Sequence, residues 1–532
     1  MTFDFHSDRT ILGTVFTHAG EEELALSEAD RMQHLLVIGK TGMGKTRTLK
    51  NIIVQDIHTG RGVGVIDPHG DLQDELLDEI PRHRARDLVY LDPNDRERVV
   101  TFNVVENVPR DRIAPTTAEI VAAFKAVWDS WGPRMERILY NAVAALIEAD
   151  NMSLIGLPRL LKDERYRTEI LEQVSDPIVH GFFAEEYPTW DSDFRITAID
   201  PVLNKVEALL AAPLVRAMLG STKSSIDFSE IMDKGKIFIA NLAKGALGPG
   251  HAHLLGAMLV SGFSNAAARR GARANRNAKR EPFFLVADEF QNFATDTFSD
   301  ILTEARKWGL SLVLAHQFLE QLPPKLRAAV LGNVGSIVAF QLAGDDAQAI
   351  AREIGLKKEN ADLLTQLSRG EVWMKHASYG GPYHPRLLEP IVTNANGRVP
   401  ALKQNDLRNT FPRARVERAI DRFLRPDHRK TARGPAAPDK WPRSLHLFRS
   451  AMKQALKEHG RAIETAGATI VAVDMEAVRR TFNALSIGHG DTADYRTADR
   501  TRAFKRATRA AQERDLIAVV ERDAVQWVYV KE

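Results

Sequence analysis

The sequence predicts an α/β protein built on a doubly wound parallel sheet, and two observations carry that prediction. Seven short apolar runs are continuous rather than alternating, which indicates strands buried on both faces. Helical periodicity fills the chain between several of these runs, which is the β-α-β order of such a sheet. Most runs end in a polar residue, and ligands of parallel sheets bind beyond the carboxyl ends of the strands. We therefore expect these polar residues to meet at one edge.

The predicted strands share this apolar run and polar ending. They are 35–38, 63–66, 88–91, 236–240, 283–287, 312–315 and 336–340, with a late strand expected within 369–374. The predicted helices between them are 73–80, 251–268, 298–307 and 345–354.

The segment after the first run is rich in glycine and precedes a predicted helix. Its residues are Gly39, Lys40, Thr41, Gly42, Met43, Gly44, Lys45 and Thr46. In this setting glycines let successive backbone N–H groups surround a phosphate, and the following helix points its positive end at the same anion. Lys45 would reach the β- and γ-phosphates, and Thr46 would ligate Mg²⁺. The pattern predicts a phosphate-binding loop rather than an ordinary glycine turn.

Two carboxylates, Asp288 and Glu289, follow the strand 283–287. Asp288 is placed to hold Mg²⁺ through its hydration shell, and Glu289 to orient and deprotonate an attacking water. Asp288 alone would serve equally well as a helix cap. Together with the glycine loop, the pair predicts an ATPase that uses ATP and Mg²⁺.

Three further polar residues stand at the ends of predicted elements. Gln317 follows the strand 312–315 closely and can hydrogen-bond a γ-phosphate or the lytic water, although a satisfied buried amide is an equal alternative. Arg306 precedes that strand, where it could reach a neighbouring subunit's nucleotide or simply be solvated. Asp67 ends the second strand in a tight turn, where it could touch Mg²⁺ or substrate or, alternatively, cap a helix.

The amino-acid composition limits the classes of protein to which this chain can belong. The chain has 532 residues, 44% of them hydrophobic, which suggests about three folded units. Its 72 basic and 70 acidic residues nearly cancel, so nucleic-acid contacts must come from local patches. The absence of cysteine excludes disulfides and thiolate chemistry. We find no uncharged run of the ~20 residues that a membrane-spanning helix needs and no signal peptide, and we expect a cytoplasmic protein.

The strand runs vanish and helical periodicity dominates between about 115 and 219, which predicts an all-helical insertion. A basic segment rich in Pro, Gly and Ala then separates the last ninety residues from the rest. The expected domains are a lead-in (1–29), the first part of an ATPase core (30–114), the insertion (115–219), the second part of the core (220–408), a linker (409–443) and a C-terminal unit (444–532).

The C-terminal unit is predicted to contain helices at 477–485 and 499–514 and a hairpin of strands 516–520 and 526–530. This order of two helices and a two-stranded wing resembles a winged helix-turn-helix. Four basic residues share one face of the second helix, opposite an apolar face. They are Arg502, Lys505, Arg506 and Arg509. They predict contacts with DNA phosphates, against the alternative of a solvated face in a protein-interaction module.

The chain resembles the HerA/FtsK branch of the RecA-like P-loop motor ATPases, and more closely the TraD/TraG class of conjugative coupling ATPases of type IV secretion. The segments that carry the resemblance are 39–46, 66–71, 131–134, 236–245, 288–289, 306–310 and Gln317. The resemblance implies a hexameric ring with ATP sites between subunits, DNA in the centre and an all-helical domain at one end. It also implies that Arg306 is a trans-acting arginine finger and Gln317 a γ-phosphate sensor.

Coupling ATPases usually carry membrane-spanning helices before the motor, whereas 38 residues precede the glycine loop here. We therefore expect either a soluble variant recruited by partners, such as a relaxase or a secretion channel, or a HerA-like motor of DNA repair or defence with a nuclease partner. A hypothesis from another class is an ATP-gated DNA-binding switch. Glu289 favours the motor, because a switch could omit a water-activating base.

Overall fold

The structure is a computed structural model that describes residues 3–18, 20–128, 130–272, 280–295, 298–393, 395–424, 443–465, 468–488, 497–513, 516–522 and 525–530. The chain forms two compact units, residues 1–425 and 426–532.

The strands of the first unit include every predicted run and several that the sequence did not reveal. They are β1 (Arg9–Thr17), β2 (Gly20–Ser27), β3 (Leu35–Ile38), β4 (Gly62–Asp67), β5 (Leu88–Leu91), β6 (Arg98–Val99), β7 (Ile237–Asn241), β8 (Phe283–Ala287), β9 (Leu310–His316), β10 (Ser336–Ala339), β11 (Trp373–His376), β12 (Gly380–Tyr383), β13 (Arg386–Leu387) and β14 (Phe411–Pro412).

A large mixed sheet organises this unit. Within the described residues it has nine strands in the order β12-β11-β10-β3-β9-β8-β4-β7-β5. The seven strands from β10 to β5 are parallel and correspond to the seven predicted runs, while β11 and β12 extend one edge in antiparallel fashion. The residues of β3, β4, β7, β8, β9 and β10 are all buried, as their continuous apolar character predicts.

The helices before β7 are α1 (Glu28–Arg31), α2 (Lys45–Thr59), α3 (Asp71–Asp78), α4 (Ile113–Val127), α5 (Pro133–Glu148), α6 (Leu157–Lys162), α7 (Glu164–Leu171), α8 (Pro177–Gly181), α9 (Tyr187–Thr189), α10 (Ser192–Ala211), α11 (Pro213–Leu219) and α12 (Phe228–Asp233). In the described part of residues 100–236 no strand occurs, in line with the helical character predicted for 115–219. Helix α4 is the first helix after β6. It contacts residue Asn265, which follows β7 in the chain, because Thr116 Oγ1 donates to Asn265 Oδ1 at 3.0 Å.

The remaining helices of the unit are α13 (Lys244–Leu247), α14 (Pro249–Ala272), α15 (Phe298–Glu304), α16 (Pro324–Asn333), α17 (Gly344–Ile354), α18 (Arg398–Asn409) and α19 (Arg413–Leu424). The helix predicted at 298–307 was too long, because α15 ends at Glu304 and a 3₁₀ turn, Ala305–Trp308, follows. Gly309, at φ 78°, then ends the turn in the left-handed conformation that glycine favours and leads into β9.

A small second sheet, β13-β1-β2, joins the beginning of the first unit to a segment near its end. Gly13 pairs with Leu387 in an antiparallel register. The approach is close, since a Cβ added at Gly13 would lie 2.0 Å from the carbonyl oxygen of Arg386. The expected lead-in, 1–29, therefore contains a strand pair that contributes to the same unit as the large sheet.

Much of the predicted linker belongs to elements of the first unit. Phe411–Pro412 pairs with Arg98–Val99, and Arg413–Leu424 is helical. Residues 425–442 of the predicted linker lie outside the described residues. Across the described part of the chain, no helix has both the length and the apolar character needed to cross a membrane.

The second unit contains α20 (Arg443–His459), β15 (Arg461–Thr465), β16 (Ala468–Asp474), α21 (Met475–Gly488), α22 (Thr497–Glu513), β17 (Ile517–Arg522) and β18 (Val525–Val530). The two predicted helices are α21 and α22, and the predicted hairpin is β17 with β18. The sequence did not reveal β15 and β16, which complete an antiparallel sheet of order β15-β16-β18-β17.

Candidate nucleotide-binding site

The glycine-rich loop lies between β3 and α2, at the carboxyl edge of the parallel sheet. Gly42 and Gly44 adopt positive φ angles of 79° and 123°, which glycine accepts without steric cost. At Gly39 an added Cβ would lie 2.5 Å from Phe340 Cβ, so the loop is packed against the neighbouring strand end. Gly44 is the N-cap of α2, so this helix directs its N-terminus at the loop.

Lys45 is the first residue of α2 and is buried, with 6% of its surface exposed. Its Nζ donates to the carbonyl oxygens of Gly39, at 2.7 Å, and Lys40, at 3.2 Å. Burial lowers the pKa of Lys45, and the charges of Glu289 and Asp288 oppose this shift. The ammonium group therefore lies in a desolvated position between the loop and the two carboxylates, where it can neutralise phosphate charge.

The two carboxylates that follow β8 are both buried in the same cleft. Burial, together with the charges of Glu289 and Asp67, raises the pKa of Asp288 to about 6. Asp288 Oδ1 accepts the backbone N–H of Glu289 at 2.9 Å. Glu289 adopts a left-handed backbone conformation, φ 48° and ψ 51°, which is rare for a residue with a long side chain and is typical of functional sites.

The carboxylate of Glu289 accepts hydrogen bonds from two amide side chains. Gln317 Nε2 donates to Oε1 at 2.6 Å, and Gln291 Nε2 donates to Oε2 at 2.7 Å. Gln317 Oε1 in turn accepts from Thr41 Oγ1 of the glycine loop at 2.9 Å, and Gln291 Oε1 accepts from His316 Nδ1 at 2.6 Å. Gln317 thus connects the loop to Glu289, and Gln291, which the sequence analysis missed, connects Glu289 to β9.

Asp67, at the end of β4, has both carboxylate oxygens engaged by backbone N–H groups. Oδ1 accepts from His69 at 2.8 Å, and Oδ2 accepts from Leu72 at 3.0 Å. Of the two roles that the sequence left open, the turn and the helix start account for these contacts. Asp67 still lines the cleft and contributes to the raised pKa of Asp288.

The cleft has a volume of about 880 Å³ and brings together the glycine loop, Thr46, the two carboxylates and Gln317. Its outer wall comes from residues that the sequence analysis did not identify. They are Phe16 of β1, residues 369–371, and residues 384–389 around β13. Arg47 of α2 secures this wall, because its Nη2 donates to the carbonyl oxygen of Leu388 at 2.9 Å and to Glu389 Oε2 at 2.6 Å.

The residues at the edge fit a nucleotide-bound Mg²⁺. The hydroxyl of Thr46 and the carboxylate of Asp288 are the oxygen donors that this cation prefers, and phosphate oxygens and water complete its usual coordination. Among the described residues, no cluster of three or more His, Asp or Glu side chains forms a separate metal centre.

Arg306 does not line this cleft. It is exposed in the 3₁₀ turn before β9, whereas Gln317 directly follows the last residue of β9. A strand of seven residues spans about 23 Å, so the arginine lies at the opposite edge of the sheet from its own chain's loop. It can reach a nucleotide only if that nucleotide is bound to another molecule.

The four predicted DNA-binding residues are brought together on α22 of the second unit. Arg502, Lys505, Arg506 and Arg509 are all exposed. Phe504, Ala507 and Ala511, on another face of the same helix, are buried in the core of this unit. The helix therefore presents a basic surface, as its periodicity predicted.

The fold and the cleft together define an α/β nucleotide-binding protein of the P-loop class. A family described as type IV secretion-system coupling protein DNA-binding domain matches residues 22–382. The chain therefore belongs to this family, and the resemblance to conjugative coupling ATPases of the TraD/TraG class is confirmed. No curated protein matches the chain.

Solved structures with a similar fold include three of a bacterial coupling protein. The bacterial conjugative coupling protein TrwBdeltaN70, in an unbound monoclinic form, is 18% identical with a TM-score of 0.50, over 75% of this chain and 92% of that chain. The plasmid coupling protein TrwB in complex with ADP and Mg²⁺ is 16% identical with a TM-score of 0.50, over 75% of this chain and 98% of that chain. TrwB in complex with the non-hydrolysable GTP analogue GDPNP is 16% identical with a TM-score of 0.50, over 74% of this chain and 97% of that chain. At these identities the likeness supports the fold.

Proposed function

We propose that this protein is an ATP-hydrolysing, DNA-translocating motor of the conjugative coupling type that acts as a homo-hexameric ring. The observation that carries the proposal is the position of Glu289. It lies in the same cleft as the phosphate-binding loop, and two amides orient its carboxylate. A protein that merely binds nucleotide has no need for an oriented base at this point.

ATP and Mg²⁺ are the proposed cofactors. Lys45 and the backbone N–H groups of the loop would hold the phosphates, and Thr46 and Asp288 would hold the cation. When bound, Mg²⁺ neutralises charge that develops on the phosphates. Glu289 would take a proton from the attacking water, while Gln317 responds to the state of the γ-phosphate. A TrwB structure that contains ADP and Mg²⁺ supports the choice of a nucleotide and Mg²⁺ as cofactors.

Ring assembly is proposed because Arg306, the candidate arginine finger, does not line the cleft of its own chain. Arg306 is exposed at the edge opposite the cleft, about 23 Å along β9. In a ring whose subunits face in the same rotational sense, that edge would meet the neighbour's cleft. Arg306 would then supply positive charge to the neighbour's transition state, as arginine fingers do.

DNA is the proposed substrate, and the second unit is proposed as one of its contacts. The four basic residues of α22 would neutralise phosphates, with the hairpin of β17 and β18 as the wing of a winged-helix domain. The sheet order, in which β18 lies between β16 and β17, is compatible with that fold.

The test is steady-state ATP turnover by the purified full chain with and without single-stranded or double-stranded DNA. The proposal expects stimulation by one of these, and oligomers that contain about six copies. If neither form of DNA changes the rate of ATP turnover, the proposal of a DNA motor is wrong. Binding of DNA that depends on ATP without any turnover would indicate a nucleotide-gated switch instead.

A further inference from the structure

His34 is a buried histidine that the proposed mechanism does not use. It directly precedes β3, has 1% of its surface exposed, and adopts a left-handed backbone conformation with φ 62°. Histidine is one of the few residues other than glycine that occur in this conformation more often than average. Its ring makes hydrogen bonds through both nitrogens, so both its position and its orientation are determined.

The two hydrogen bonds determine the tautomer of the ring. Nδ1 accepts the backbone N–H of Leu312 at 3.0 Å, so the proton is on Nε2, which donates to the carbonyl oxygen of Leu302 at 3.0 Å. Burial and the nearby charge of Arg306 lower the pKa of His34 to about 4. The ring is therefore neutral at pH 7 and keeps one acceptor and one donor.

The two partners of His34 stand on either side of Arg306 in the chain. Leu302 lies in α15, four residues before the arginine, and Leu312 lies in β9, six residues after it. The turn Ala305–Trp308, which carries Arg306, lies between these two anchor points. One imidazole thus joins the entry and the exit of the segment that presents the guanidinium.

His34 also connects this segment to the nucleotide site of its own chain. It is followed at once by β3, and β3 ends at the glycine loop. The residue that precedes β3 therefore contacts both flanks of the segment that carries Arg306.

We propose that His34 is a positioning residue that holds the Ala305–Trp308 turn so that Arg306 can reach the nucleotide of the next subunit. This inference rests on the proposed trans role of Arg306. It assigns to His34 an effect on the neighbour's site rather than on its own.

Two substitutions separate the contacts of the ring. His34→Asn keeps tolerance for the left-handed backbone and an acceptor near Leu312, but its side chain is too short to reach Leu302. The glutamine side chain of His34→Gln places an amide N–H about as far from the backbone as Nε2 of the histidine ring. The control is His376→Gln, at another fully buried histidine, whose Nε2 contacts the carbonyl oxygen of Ala25 at 3.0 Å.

The experiment measures ATP turnover of the full-length variants alone and in mixtures with Lys45→Ala, and also ATP affinity. We expect His34→Asn to lower kcat by about tenfold with ATP affinity within about twofold, and His34→Gln to lower it less. Mixing His34→Asn with Lys45→Ala should restore turnover, because Lys45→Ala subunits retain a correctly held arginine. The His376→Gln control should gain nothing from such mixing.

The mixture of Arg306→Ala with Lys45→Ala separates failure of this inference from failure of the proposed function. If that pair shows no restoration, the trans role of Arg306 is wrong, and the inference is wrong with it. If turnover is restored in that mixture but not in the mixture of His34→Asn with Lys45→Ala, Arg306 acts in trans but His34 does not position it. Normal kcat in His34→Asn would also overturn the inference.

Discussion

Gln317 donates a hydrogen bond from Nε2 to Glu289 Oε1 over 2.6 Å. The same side chain accepts from Thr41 in the glycine loop, so a single amide spans the distance between the phosphate-binding loop and the proposed base. A γ-phosphate at the loop would compete for these polar groups. We therefore expect occupancy of the loop to alter how firmly Glu289 is held.

Replacement of Glu289 by Gln should abolish turnover while nucleotide binding persists. The amide is nearly isosteric and can still accept from Gln317, but it cannot take a proton from water. A general base contributes about 10²–10⁴-fold to a rate, so kcat should fall by that order. Turnover and binding of a fluorescent ATP analogue would be measured on the same sample. A variant that hydrolyses ATP at close to the parent's rate would remove the base assignment.

Replacement of Gln317 should impair hydrolysis more than binding. Gln317→Ala removes the link between Thr41 and Glu289, and we expect kcat to fall by about tenfold with a smaller change in KM. Gln317→Glu places a second carboxylate against Glu289 and should be worse, because like charges at this distance repel. Equal kinetics of the two variants would show that charge beside Glu289 is unimportant.

We expect Glu119 to make the stability of the first unit depend on pH. It is buried on α4, where it accepts hydrogen bonds from Ser261 and Arg112, yet burial raises its pKa above the ordinary value of 4.5. A raised pKa in the folded state favours the protonated form. The stability it contributes is complete below the ordinary pKa and is lost as pH rises through the raised pKa.

Glu119→Gln, which cannot ionise, should therefore raise the melting temperature relative to the parent at about pH 8 by about 1–2 °C, with a smaller gain near about pH 5. Thermal unfolding at both pH values would measure this, with the exposed Glu169→Gln as control. The control should show the same difference at both pH values. A gain for Glu119→Gln that does not grow with pH would contradict the expected ionisation.

The basic face of α22 should contribute electrostatically to DNA binding. Replacing Arg502, Lys505, Arg506 and Arg509 by Gln in the full chain should weaken binding. The dependence of log K on log salt should become shallower by about 0.7–0.9 for each phosphate that the variant no longer neutralises. Titration of fluorescent DNA at several salt concentrations would measure both effects.

A matched control for this variant lies in the same unit. Arg449, Lys453 and Lys457 are exposed on α20, and their replacement by Gln removes similar charge from another element. If both sets change the salt dependence equally, α22 has no special role. If neither set changes it, the second unit is a protein-interaction module.

Continuous burial explains why the sheet could be predicted. Each parallel strand consists of residues that can be buried on both faces, and this leaves an unambiguous apolar run. Asp288 and Glu289 were found for the same reason, since they follow such a run directly. The phosphate-binding loop was found because its glycines have a local role in the loop's own backbone. The trans role of Arg306 and the winged helix stay predictions.

The outer wall of the cleft could not be predicted, because its contacts join distant parts of the chain. β1 and β2 contain polar and charged residues in partly exposed positions, and β13 has two residues, so neither gives a clear pattern. Gln291 was missed for a related reason. Its role depends on the left-handed backbone of Glu289 and on His316, neither of which leaves a signal in composition or period.

The pairing of Gly13 with Leu387 has a consequence for biosynthesis. These residues are separated by roughly 370 positions, and a closure of that length is entropically costly and comes late. A chain emerging from the ribosome cannot complete the wall that faces the nucleotide until β13 has been made. We therefore expect a chain that ends before β13 to retain ATP less well than the finished fold.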